Sequence, residues 1–141
     1  MGSGIALAAA QSGYEVTLFD TNETVIEKAG ASVIKNLDFL VEKNKITAEE
    51  KAQIFKRIQF SSSIEQCRAD LIIEAIVEIE AVKSSLFIQL AAINSDKTIF
   101  ASNTSSLSVS AIQSNVLNPE RVAGMHFFNP AHIMKLVEIV S

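Results

Sequence analysis

A single cysteine, Cys67, in 141 residues leaves no partner for an internal disulfide and excludes every multi-cysteine metal motif. That usage fits a reducing compartment, and the thiol reads as an ordinary buried or half-buried side chain. No block of Lys and Arg is present and the formal charge is -4. Nucleic-acid binding needs a concentrated basic surface to neutralise phosphates, so no nucleic-acid partner is expected. No apolar run reaches the roughly 18 residues of a membrane span, and the first residues lack the basic flank of a signal peptide. No membrane and no metal are expected, and the chain reads as cytoplasmic. Repeats and low-complexity tracts are also missing.

What is present is a globular composition, 48% apolar and 20% charged, with Leu, Ile, Val and Ala spread along the whole length. Residues 2–12 place Ile5, Ala6, Ala9 and Ala10 at helical spacing before Gly13, which predicts a tightly packed helix with a glycine stop. Residues 14–19 are β-branched and aromatic and run into Asp20, the pattern of a strand ending in an acid. From Asn22 a long amphipathic helix carries Val25, Ile26, Ala29, Val33, Leu37, Leu40 and Val41 on one stripe. Thr47 and Glu50 form a capping box opening a second helix through Phe55, so the two make a helical hairpin.

Residues 58–61, 70–76, 98–102, 122–128 and 134–140 read as further strands, with a polar turn at 64–67 and helices at 81–93 and 109–112. The alternation predicts an α/β fold with a mostly parallel sheet.

Two signals carry chemistry. Met-Gly-Ser-Gly (1–4) opens a helix, and Asp20 ends the next strand, roughly the spacing between a dinucleotide-binding turn and its ribose-binding acid. With no Arg close after Asp20, a 2′-phosphate would be repelled, which favours NAD over NADP. The same residues also fit a packed helix followed by a strand. A Gly-x-Gly-x-x-Gly turn should follow a strand, and only its last glycine, Gly2, is present; the expectation is a chain whose natural start, first strand included, lies upstream.

The second signal is His126, inside an apolar strand that breaks at Asn129-Pro130, with Glu138 in the following strand on the face of Leu136 and Val140. An unpaired carboxylate on a buried face is costly, so a His126–Glu138 pair is expected. A carboxylate on one ring nitrogen raises the basicity of the other, which suits removal of an alcohol proton. A buried structural ion pair accounts for these residues equally well. His132 reads as an exposed connector residue.

Five blocks in order, Met-Gly-Ser-Gly-Ile-Ala (1–6), Ile-Glu-Ala-Ile-Val-Glu (73–78), Phe-Ala-Ser-Asn-Thr-Ser-Ser-Leu (100–107), His-Phe-Phe-Asn-Pro (126–130) and Met-Lys-Leu-Val-Glu (134–138), resemble the NAD-binding domain of the 3-hydroxyacyl-CoA dehydrogenase family. The resemblance covers essentially the whole chain. It implies a Rossmann-type, doubly wound sheet with a helical hairpin insertion, lacking its first strand, and a helical domain after residue 141 that closes over the acyl chain and makes a homodimer. It further implies oxidation of (3S)-3-hydroxyacyl-CoA to 3-oxoacyl-CoA in fatty-acid or butanoate metabolism, with NAD as cofactor and an acyl-CoA as partner.

In that family's terms His126 is the base and Glu138 its orienting partner, while Ser105 and Asn129 bond substrate or nicotinamide. Met1 and Gly2 belong to the pyrophosphate turn, Asp20 holds the adenosine ribose, and Glu78 and Lys83 line the rest of the cofactor site. Asn36 and Lys43, seven positions apart and so two helical turns, together with Ser105, would meet coenzyme A. The family often has Ser at the Asn36 position, and many members have Pro where His132 stands. A fragment without its first strand is expected to bind NAD poorly. The competing readings are a non-enzymatic, crystallin-like relative and a segment of a multifunctional fatty-acid oxidation protein, and a mitochondrial targeting segment before residue 1 is compatible with either.

Overall fold

The computed structural model describes residues 1–140, which divide into two compact units. The first comprises Met1–Gln66 with Pro130–His132; the second comprises Cys67–Asn129 and the residues from Ile133 onward.

In the first unit, helix α1 (Gly2–Gln11) buries Ile5, Ala6, Leu7 and Ala10 and stops before Gly13, whose φ of +95° is open to glycine without strain. Strand β1 (Val16–Phe19) pairs in parallel with β2 (Ile58–Ser61), from Val16↔Ile58 to Phe19↔Ser61. Tyr14 and Glu15 are exposed rather than part of the strand. Pairing begins at Val16, whose N–H donates to the Arg57 carbonyl at 2.8 Å. Between the strands lie α2 (Glu23–Glu42), capped by the Asn22 side chain, and α3 (Ala48–Lys56). The α3 capping box is formed as expected: Glu50 N–H donates to Thr47 Oγ1 at 3.1 Å and Thr47 N–H to Glu50 Oε2 at 2.7 Å. Leu7, Ala10, Val33, Leu37, Ile54 and Ile58 form the core of this unit.

The second unit is a four-stranded sheet in the order β3 (Leu71–Glu74), β4 (Ile99–Ser102), β5 (Val122–Phe127), β6 (Val137–Val140). The first three are parallel and β6 is antiparallel. Helices α4 (Glu80–Ile93) and α5 (Val109–Gln113) contribute Phe87, Leu90 and Ile112 to its interior, with the Phe87 and Phe100 rings 5.5 Å apart. The parallel character read from the sequence holds in both units, but the strands of the described residues form two sheets rather than one continuous sheet.

Strand β6 starts at Val137, later than the apolar pattern from Met134 indicates. Its partner β5 ends at Phe127, and the chain then turns at Asn129-Pro130, where proline cannot donate to a ladder. Among the described residues no helix is long and apolar enough to cross a membrane.

Candidate active site

The antiparallel β5–β6 ladder sets His126 directly opposite Glu138. Residues opposed in this way project from the same face of the sheet, and His126 Nδ1 lies 3.5 Å from Glu138 Oε2. That is ion-pair range, slightly beyond an ordinary hydrogen bond. The Phe128 ring packs 4.8 Å from the imidazole, and Nε2 has no hydrogen-bond partner among the described residues. The imidazole is 24% exposed and the Glu138 side chain 61%. The apolar face expected around Glu138 is therefore not closed: Leu136 and Val140 are exposed as well. The reading of a buried structural ion pair fails for the same reason.

Gly124 explains how β6 comes so close. A Cβ there would sit 2.9 Å from Val109 Cγ2 and 3.2 Å from Val140 Cβ, so only glycine lets α5 and β6 close on β5 from both directions.

A second cluster lies at the carboxyl ends of β3 and β4. Lys83, whose side chain is 1% exposed, directs its ammonium to Glu74 Oε1 at 2.7 Å and to Glu78 Oε2 at 3.0 Å. Glu74, also buried, accepts further bonds from Ile76 N–H at 2.6 Å and from Ser102 Oγ at 2.7 Å. Glu78 Oε1 accepts from the Thr104 hydroxyl, from Ser105 N–H at 3.2 Å and from Ser106 Oγ at 3.4 Å. Burial pushes the Glu78 carboxyl up, but the Thr104 hydroxyl, Lys83 and the Ser105 amide outweigh it and bring it down to about 2.

Glu78 thus pins the loop carrying Ser105, while the buried Lys83 ammonium is shared between the buried Glu74 and the partly exposed Glu78. Ser105 and Asn129 are exposed, and neither side chain bonds within the described chain. Because β3, β4 and β5 are parallel, Glu78, Ser105, His126 and Asn129 all follow or end strands at one edge of the sheet. In open α/β sheets that carboxyl edge is where ligands bind.

Sequence reasoning passed over Glu74, Ser102 and Thr104. An acid inside the apolar run 70–76 was the available signal, since a buried carboxylate requires a partner.

The remaining expected residues belong to the first unit. The Met1 carbonyl accepts from Gly4 N–H at 2.9 Å and Ile5 N–H at 3.1 Å, which starts α1. No side chain caps this helix and no acid occupies its first turn, so the Gly2 and Ser3 amides are left for an external acceptor, with open space where a Gly2 Cβ would be. The chain reverses at Gly13 and α1 packs along β1, which brings the α1 N-terminus and Asp20 to the same end of the unit. Asp20 Oδ1 accepts from Asn22 N–H at 2.9 Å, leaving Oδ2 for another donor. Free amides at a helix start, and a half-engaged carboxylate at the end of the strand that follows, are groups that fit the pyrophosphate and ribose of a dinucleotide.

Asn36 is half-buried and donates its amide to the Ser32 carbonyl at 2.9 Å, while Lys43 caps α2 with its ammonium 5.6 Å from the Phe39 ring centre. His132 is not an exposed connector residue. It is half-buried, its Nδ1 is shielded without a hydrogen-bond partner, and that atom lies 3.6 Å from where a Gly4 Cβ would stand, because the 130–132 segment packs on the first turn of α1.

Residues 1–141 match the family model described as 3-hydroxyacyl-CoA dehydrogenase, NAD binding domain. The chain is 44% identical over 142 aligned positions to 3-hydroxyadipyl-CoA dehydrogenase of Escherichia coli K12, covering 100% of this chain and 30% of that protein. It is 43% identical to a probable 3-hydroxybutyryl-CoA dehydrogenase of Bacillus subtilis, covering 99% of this chain and 49% of the relative. Among solved structures, 3-hydroxybutyryl-CoA dehydrogenase from E. coli K12 superposes with a TM-score of 0.97 at 44% identity, over 100% of this chain and 30% of that one. The chain therefore spans about a third to a half of the length of these relatives.

Proposed function

The chain belongs to the 3-hydroxyacyl-CoA dehydrogenase NAD-binding family, and from that premise we propose that the full-length protein carrying it oxidises (3S)-3-hydroxyacyl-CoA to 3-oxoacyl-CoA in fatty-acid or butanoate metabolism. The observation that carries the proposal is the His126–Glu138 opposition at the carboxyl edge of the sheet.

His126 takes the 3-hydroxyl proton at Nε2, the ring nitrogen that Glu138 leaves unengaged. Glu138 fixes the ring through Nδ1 and offsets the positive charge the imidazole acquires. Ser105 and Asn129, with side chains uncommitted within the fold, donate hydrogen bonds to the oxygen as its carbonyl forms. NAD, when bound, supplies the acceptor for the hydride that leaves C3.

The amides of Gly2 and Ser3 hold the pyrophosphate, next to Met1, and Asp20 accepts the adenosine ribose hydroxyls. Glu78 and Lys83 serve the cofactor side of the site by holding the Ser105 loop. Lys43 offers an exposed ammonium to a phosphate of coenzyme A. Asn36, its amide N–H already donated to Ser32, has only its oxygen to offer.

The test is His126→Gln in the full-length protein, followed by NADH formation from 3-hydroxybutyryl-CoA. Loss of a positioned general base lowers kcat by about 10²- to 10⁴-fold, and turnover near the unsubstituted level would sink the proposal.

A further inference from the structure

The β4–β5 ladder ends at Ser102↔Gly124. Beyond that point Met125, His126 and Phe127 keep ladder pairing with β6 only. On the β4 side a side chain takes over: Phe127 N–H donates to Asn103 Oδ1 at 2.8 Å. Asn103 is itself anchored, since its own N–H donates to the Glu74 carbonyl at 2.8 Å. Two residues further on stands Ser105, whose N–H is held by Glu78. The Asn103 carboxamide therefore ties the loop that carries Ser105 to the peptide immediately after His126.

We infer that Asn103 is a positioning residue, which fixes the His126 backbone against the Ser105 loop at the place where the sheet ladder no longer does so. The inference rests on the proposed dehydrogenase chemistry, because it gives His126 a proton to take. Without the Asn103 oxygen, the end of β5 is held from the β6 side alone, by the strand whose Glu138 is itself largely exposed. Misplacement of a reacting group by about an ångström is enough to cost on the order of a hundredfold in rate. The bond needs an acceptor oxygen at that reach and no more: Asp supplies it, and Ala does not.

Three measurements on the full-length protein decide the matter. Asn103→Ala is expected to lower kcat by about tenfold or more while KM for acyl-CoA and NAD stays within about twofold, the signature of an interaction that acts on the reacting groups rather than on uniform binding. Asn103→Asp is expected to stay within about threefold of the unsubstituted kcat. Hydrogen exchange of the Phe127 amide should be slow in the unsubstituted protein and in Asn103→Asp, and fast in Asn103→Ala.

An unchanged kcat in folded Asn103→Ala overturns the inference. Should Asn103→Ala not fold, a tenfold or greater loss in Asn103→Asp, or fast exchange at Phe127 in the unsubstituted protein, overturns it equally. If His126→Gln retains turnover, the proposed function fails and this inference with it. If His126→Gln is inactive and Asn103→Ala is not impaired, the positioning role alone fails.

Discussion

Lys83→Met isolates the electrostatics of the second unit. Methionine keeps most of the lysine stem and its packing on the interior, so the change removes a charge with little loss of volume. What remains is Glu74, whose side chain is wholly buried and loses its nearest cation at 2.7 Å, and Glu78, 38% exposed and able to turn to water. The two carboxylates are therefore not affected alike. Glu78 is screened by solvent and contributes little to the loss, whereas Glu74 keeps only the Ile76 amide and the Ser102 hydroxyl. Stranding a buried partner of an ion pair typically costs about 3–5 kcal/mol.

Urea denaturation of the full-length protein should show a loss of that size. The double variant Lys83→Met/Glu74→Gln should recover roughly half of the loss or more, since a neutral amide can still meet Ser102, and the coupling between the two positions should exceed about 1 kcal/mol. A single-variant loss below about 1 kcal/mol, or a double variant no better than Lys83→Met, would show that the cluster does not depend on charge compensation.

Gly124→Ala forces a methyl within 2.9 Å of Val109 and 3.2 Å of Val140; the expected cost is about 1–3 kcal/mol with reduced turnover as β6 and Glu138 shift, and an alanine variant with native stability and rate would refute the close-approach argument. The Glu78 carboxyl, brought down to about 2 from an ordinary 4.5, binds its proton more weakly folded than unfolded. Its contribution to stability is therefore complete above pH 4.5 and is lost as pH falls through about 2. Carboxyl carbon chemical shifts followed through an acid titration should place the Glu78 midpoint near the lower value, and a midpoint at 4.5 would remove Thr104 and Lys83 as its cause.

Much of the local structure was legible because its causes are local. The Thr47–Glu50 box and the glycine stop at Gly13 depend on neighbours a few positions away. Errors appear where a distant partner decides. β6 begins at Val137 because β5 ends at Phe127, and β1 begins at Val16 because Arg57 is there to accept its N–H. His132 looks like a connector residue in sequence and packs on α1 in space.

The sequence by itself determined the residue types that can do the chemistry and the elements that hold them: an imidazole on one strand, a carboxylate on the next, glycines at a helix start and an acid after β1. These follow from composition, periodicity and capping, which act over a few residues. Only the tertiary structure decided that His126 and Glu138 share a register, that Glu138 is exposed while Glu74 is the buried acid, and that Asn103 takes the place of the missing ladder beside His126. Strand register and charge burial are set by contacts between segments far apart in the chain, and such contacts leave no periodic trace in either segment alone.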